Sequence, residues 1–263
     1  MSIQDIQAID VHAHYGRMVR GGDPRFDDWV SGDASLVAER ARNANTEWTI
    51  VSPLEALMPR GEADAYQGNE AAATEVAATD GLLQWVVLNP LQESTYEQTE
   101  RMLRLPRCVG IKLHPEEHCY PIEAHGRKLF EFAARHRAIV LTHSGQVNSW
   151  PEAFVPFLND FPEVRLIVAH IGCSDDVDRT HQVRAIQMSK HGNIYADTSS
   201  AQSILSGIIE FAVREAGPEH ILYGTDTPLY SAAAQRARID QAEISDRDKR
   251  LILRENSLKI FGL

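Results

Sequence analysis

Two histidines one residue apart lie near the start of the chain, in Ile9-Asp10-Val11-His12-Ala13-His14, and later apolar runs end in His143, His170 and Asp226. Alternate residues of a β-strand share a face, so His12 and His14 are expected to point the same way and to grip one metal ion. An isolated H-x-H is weak, because alternating polar residues are common on half-exposed strands. Here each later His or Asp also closes an apolar run, shortly before a Gly or Pro. The carboxyl ends of strands are where a barrel enzyme assembles its chemistry.

Counting by twos extends the pattern. His12 and His14 fall on the face of Asp10, with Val11 and Ala13 on the other, and Lys112 pairs with His114. His143 lines up with Leu141 and Ile139, His170 with Val168 and Leu166, and Asp226 follows Leu222 and Gly224. Together these residues form a compact set of N and O donors at one end of the strands. Neutral imidazoles with a carboxylate suit Zn2+ or a similar borderline divalent ion, and leave a position for water. Water so activated is a nucleophile at neutral pH. Asp226 can ligate and also accept a proton, while His170 can polarise a carbonyl or protonate a leaving group.

Blander roles exist for each residue. The histidine pair could be a hydrogen-bonded strand end, Asp226 a cap or loop brace, and Lys112 with His114 part of a buried ion pair. Asp10, deep on the same face, is expected to orient a ligand histidine. Among Arg17, Arg20 and Arg25, one could clamp an anionic substrate, although solvated charge is the default for any single one. Cys119 and Cys173 follow the fourth and sixth runs as bystanders, with no His partner to activate a thiolate. His118, His125, His136, His181, His191 and His220 are expected at the surface.

The elements that must position these groups can be read as eight strands. They are Ala8–His14, Thr49–Pro53, Leu83–Leu88, Val109–His114, Ile139–His143, Leu166–His170, Asn193–Asp197 and Ile221–Thr225. Several are near-continuous Val/Ile-rich runs, as expected of parallel strands buried on both faces. Helical spacing follows at 36–41, 71–78, 96–105, 123–136, 150–161, 176–190, 202–216, 232–242 and 247–261, the first capped by Asp33 or Ser35. Eight βα units in 263 residues fit a single-domain (β/α)8 TIM barrel, for which roughly 250 residues is typical. A doubly wound open sheet would more often carry a glycine-rich phosphate loop after its first strand, and none is present here.

The formal net charge of −11, with a pI near 5.4, argues against nucleic acid as a partner and leaves a small-molecule substrate. Three cysteines without a C-x-x-C point to a reducing, cytoplasmic setting. The first residues lack a basic segment followed by an apolar core, and no apolar run approaches the roughly 20 residues of a membrane span.

IDVHAH, IKLHP, LTHSG, VAHIG, YGTDTP and the closing ENSLKIFGL together resemble the amidohydrolase superfamily, in its amidohydrolase-related branch of TIM-barrel metal-dependent hydrolases. The match spans nearly the whole chain, in order. The resemblance implies metal ligation by His12, His14, His143 and Asp226. It makes His170 a further ligand or an acid/base, and gives Asp226 a proton-shuttling role. It further implies one divalent ion, Zn2+ before Mn2+, and an unmodified Lys112 that binds a substrate carboxylate beside His114. A carboxylated Lys112 bridging two metals is the alternative. The branch contains hydrolases of C–O and C–N bonds and non-oxidative decarboxylases of aromatic or muconate-type acids. Hydrolysis of a small, carboxylate-bearing lactone, ester or amide is the leading expectation, favoured by the short chain. Decarboxylation is the alternative, a non-catalytic metal-binding or interaction module lies outside both, and a homodimer is expected from the family.

Overall fold

The computed structural model describes residues 2–20, 22–199 and 204–263. Its eight strands are β1 (Ala8–Tyr15), β2 (Thr46–Pro53), β3 (Leu82–Val87), β4 (Cys108–Leu113), β5 (Ile139–Thr142), β6 (Arg165–Val168), β7 (Ile194–Asp197) and β8 (Ile221–Leu222). They pair in parallel in sequence order. The helices between them are α1 (Pro24–Trp29), α2 (Ala34–Asn43), α3 (Ala65–Ala78), α4 (Ser94–Met102), α5 (Ile122–Arg135), α6 (Pro151–Asp160), α7 (His181–Met188), α8 (Ile208–Ala216) and α9 (Ala232–Asp240). After them come α10 (Asp246–Arg250), a π-helical turn (Leu251–Glu255) and α11 (Asn256–Phe261). This is the (β/α)8 barrel read from the sequence. No helix among the described residues is long and apolar enough to cross a membrane.

Two apolar layers hold the strands. The barrel interior is filled by Val11, Ile50, Leu83, Trp85, Ile139, Leu141, Ile167, Ala169 and Leu222. Each Val, Ile or Leu among them contributes about 1.5–3 kcal/mol on burial. The Trp85 indole N–H donates to Val11 O at 2.9 Å, so the largest of them also satisfies its polar atom. Outside, Ile111, Leu113, Val140, Leu166, Val168, Ile194 and Tyr223 pack beneath the helices.

Strict alternation fails at two places, both in the site. The β1–β2 register shifts between Asp10 and Ala13, and Val11 packs in the interior rather than outside. The bulge re-aims this stretch, and the Asp10 carboxylate turns to Thr225 N and Oγ1 and to His12 N. Asp10 therefore braces backbone rather than an imidazole. On β6, Leu166 and Val168 face the helices while Ile167 and Ala169 face inward. His170 reaches the mouth because its own φ is +69°, not by sharing a face with Val168.

The seam between β8 and β1 has its own form. Val11 N bonds Tyr223 O, Thr225 N and Asp226 N bond His12 O, and His14 N bonds Thr227 O. The chain just past β8 thus completes the ring that the two-residue strand leaves short.

Helix boundaries differ from the expected ones where side chains compete with the backbone. The segment expected to start a helix at Asp176 instead forms turns, with Asp176 accepting from Asp178 N and Asp178 from Thr180 N, so α7 waits until His181. Asp64 caps α3, which starts at Ala65, six residues before the expected Ala71. Asp23 and Pro24 open α1, a helix additional to the expected ones. The expected start of the 202–216 helix lies outside the described residues, and α8 begins at Ile208.

Candidate active site

Two histidines from β1 and one carboxylate from the chain beyond β8 converge at the mouth of the barrel. Asp226 Oδ1 lies 3.1 Å from His14 Nε2 and 3.6 Å from His12 Nε2. All three side chains are buried, and one donor atom from each lies within 4.8 Å of the others. Asp226 holds a φ of +59°, a left-handed conformation that turns its carboxylate in over the strand ends.

Each histidine is braced from behind. His12 Nδ1 meets Asp197 Oδ2 at 2.9 Å, and His14 Nδ1 meets Ser52 Oγ at 2.9 Å and Ser52 O at 3.2 Å. His170 Nδ1 lies 2.7 Å from Ser199 Oγ. His143 sits one ring further along, its Nδ1 3.1 Å from His170 Nε2 and its Nε2 2.6 Å from Gln146 Oε1. It stands next to His170 rather than inside the His12–His14–Asp226 triangle. His114 stacks on His143, with centroids 4.4 Å apart and planes 8° apart. Lys112 is completely buried beneath His12, its Nζ 2.8 Å from His12 Nε2, and does not reach the cavity wall.

Burial governs the protonation of this cluster. It pushes His14 and His170 down to about 4 and lowers His143 and His114 well below the ordinary imidazole range. It also pulls Lys112 down to about 8, a fall limited by the Asp226 and Asp197 carboxylates. For Asp226 and Asp197, burial alone would raise the pKa. The imidazoles beside them, His14 and His12 for Asp226 and His12 for Asp197, win and hold both well below the carboxylate range.

These states fit a divalent cation. Neutral imidazole nitrogens and an ionised carboxylate oxygen converge in a buried pocket, and that is the form in which such groups ligate. A mixed N/O set suits Zn2+ or Mn2+. His12, His14 and Asp226 form the nucleus of that set, and His170 joins His12 and Asp197 in a second, overlapping group of donors.

The donors line a cavity of about 160 Å³ together with Met18, Leu54, Leu57, Met58 and Leu229. Of the three arginines in the first βα segment, Arg20 borders this cavity, held by Glu117 Oε1 at 3.4 Å. Arg17 and Arg25 instead pair with Asp28 and Asp23 at the surface. Cys173 also lines the cavity. His118, expected at the surface, is buried, with Nε2 2.9 Å from Ala56 O.

Asp197, Ser199, Ser52 and Gln146 went unassigned in the sequence. Asp197 did carry a signal, since it ends an apolar run as His143 and His170 do. Ser52 and Gln146 carried none, because their partners become neighbours only in the closed barrel.

No curated protein sequence matches the chain. Solved structures match its fold end to end. A 2,6-dihydroxybenzoate decarboxylase complexed with 2,6-dihydroxybenzoate superposes with a TM-score of 0.76 at 15% identity, covering 98% of this chain and 99% of that one. The 5-carboxyvanillate decarboxylase of Sphingomonas paucimobilis gives 0.74 at 14% identity, covering 98% and 99%. A dihydroxybenzoic acid decarboxylase from a Polaromonas species, solved with manganese and the inhibitor 2-nitroresorcinol, gives 0.73 at 15% identity, covering 98% and 97%. At such identities the likeness is one of fold. The family model described as amidohydrolase matches residues 9–263, nearly the whole length. With the barrel and the converging histidines already in place, that match assigns the chain to the amidohydrolase family, in the amidohydrolase-2 branch of its superfamily.

Proposed function

We propose that this enzyme is a metal-dependent, non-oxidative decarboxylase of a small acid built on one aromatic or unsaturated ring. The observation that carries the reading is the cavity: about 160 Å³, lined by the donors together with apolar side chains. A cavity of about 150 Å³ is enough to hold a benzene ring. The likeness of the fold to benzoate-type decarboxylases supports the same choice and places hydrolysis, the leading expectation from sequence, second.

A divalent ion held by His12, His14 and Asp226, with His143 or His170 completing the set, would draw charge out of the substrate's oxygens. The chain's own groups do the rest. Met18, Leu57 and Leu229 hold the ring face and keep water away from the carbon that loses CO2. His114 and Arg20, both on the cavity wall, meet the substrate's anionic edge. Lys112 supplies positive charge beside His12 Nε2. When the C–C bond breaks, its electron pair stays on carbon and must be met by a proton. His170, with Nε2 toward the cavity and Nδ1 on Ser199, is placed to carry that proton once substrate charge is present.

Hydrolysis has one specific feature in its favour. Asp226 is held ionised, the state that accepts a proton from water rather than delivering one. The deciding experiment incubates Zn2+- or Mn2+-loaded protein with hydroxybenzoic acids and with lactones in D2O. Release of CO2 with deuterium on the vacated carbon is the expected result. Uptake of solvent oxygen into an opened lactone, without CO2, would establish the hydrolase instead.

A further inference from the structure

We propose that Asp197 is a positioning residue whose single carboxylate sets the ring tautomer of both His12 and His170, so that each presents a bare Nε2 toward the site. The proposal rests on the functional reading only in taking those two rings as working parts.

Asp197 closes β7 and is fully buried. Its oxygens receive His12 Nδ1 at 2.9 Å, His170 N at 3.1 Å, Ser199 N at 3.0 Å and the Ser199 hydroxyl. Two of these partners are backbone N–H groups, which can only donate. A carboxylate is an acceptor at every lone pair, and no amide or hydroxyl could take all four. His12 must therefore carry its proton on Nδ1, which leaves Nε2 bare. The approach of Lys112 Nζ to that atom at 2.8 Å agrees, because an ammonium can only donate.

The second leg runs through Ser199. Its hydroxyl has one proton, which the acceptor-only carboxylate of Asp197 takes, and its oxygen also lies 3.2 Å from His12 Nδ1. Toward His170 Nδ1, 2.7 Å away, the Ser199 oxygen can then only accept. His170 thus carries its proton on Nδ1 as well, with Nε2 bare. The same carboxylate holds His170 by its backbone N–H in a left-handed conformation that a histidine does not favour. Gly224 packs closely against both residues: a Cβ there would stand 3.1 Å from both Asp197 Cγ and His12 Cβ.

Asp197→Asn would put an N–H2 where a donor already points. Its expected effect is to move the His12 proton from Nδ1 to Nε2, where it faces the incoming cation. The test uses the full chain stripped of metal, with imidazole tautomers read from long-range 1H–15N spectra and Zn2+ binding from calorimetric titration. Asp197→Asn is expected to show His12 as the Nε2–H form and to bind Zn2+ roughly 10–100-fold more weakly. Ser199→Ala is expected to release the His170 tautomer alone, with Zn2+ affinity little changed. Wild-type tautomers in both variants would overturn the proposal. If Asp197→Asn fails to fold, Ser199→Ala decides: an unchanged His170 Nδ1–H signal overturns it and a redistributed one supports it. Neither readout uses a substrate. Absence of decarboxylation would therefore count against the proposed reaction alone, and wild-type tautomers against this inference alone.

Discussion

His12 is held on both ring nitrogens, by Asp197 on one side and Lys112 on the other, and its backbone carbonyl receives Thr225 N and Asp226 N. Placed beside it, the Lys112 ammonium adds a positive charge next to two carboxylates that are both ionised. Methionine in its place keeps most of the volume and removes the charge. Lys112→Met is expected to retain about one equivalent of metal by mass spectrometry, because the ligating atoms are untouched. It should raise KM for an anionic substrate roughly tenfold, the size of a single unscreened charge contact at a buried site. Two equivalents in the wild type, with one lost in the variant, would instead make Lys112 a carboxylated bridge between metals.

Among the elements, the loops after β5 and β6 are locked to each other before either can hold its histidine. Gly145 has a φ of +95°, and its carbonyl accepts Asp175 N at 2.9 Å. A Cβ there would stand 2.2 Å from Cys173 O, which is backbone and cannot swing aside. Gly145→Ala is expected to cost about 2–4 kcal/mol in urea unfolding and to part the His143 and His170 rings. The strands were legible because burial on both faces leaves continuous Val/Ile runs, and five of the eight begin and end within one residue of their expected bounds. Facing was less legible. The bulge in β1 and the left-handed turn at His170 depend on contacts with Thr225 and Asp197, far away in sequence. The candidate donors stood out because each later His or Asp closes an apolar run of the sequence. The braces Ser52, Ser199 and Gln146 could not, because a serine or glutamine in a loop has no pattern of its own.

At the scale of the whole barrel, the donor cluster lies across the seam. His12 and His14 belong to the first strand and Asp226 to the segment past the last, where β8 is two residues long and four backbone bonds make the join. A divalent ion held by these three groups would tie the two ends of the sheet together, and the unfolded chain has no such constellation to bind it. Metal binding would therefore be coupled to closure of the ring. Free metal at about 100 times its Kd stabilises the folded state by about 2.7 kcal/mol. At roughly 2–4 °C per kcal/mol for a chain of this size, Tm should rise by about 5–11 °C on loading and fall back with a chelator. The gain should be local as well as global. Amide exchange at Val11, His14, Thr225 and Asp226, the donors across the seam, should slow more on loading than exchange at β3–β4 amides such as Trp85 or Ile111. A uniform change in protection, or a Tm indifferent to Zn2+, Mn2+ and chelator, would mean that the cluster does not hold a cation across this join.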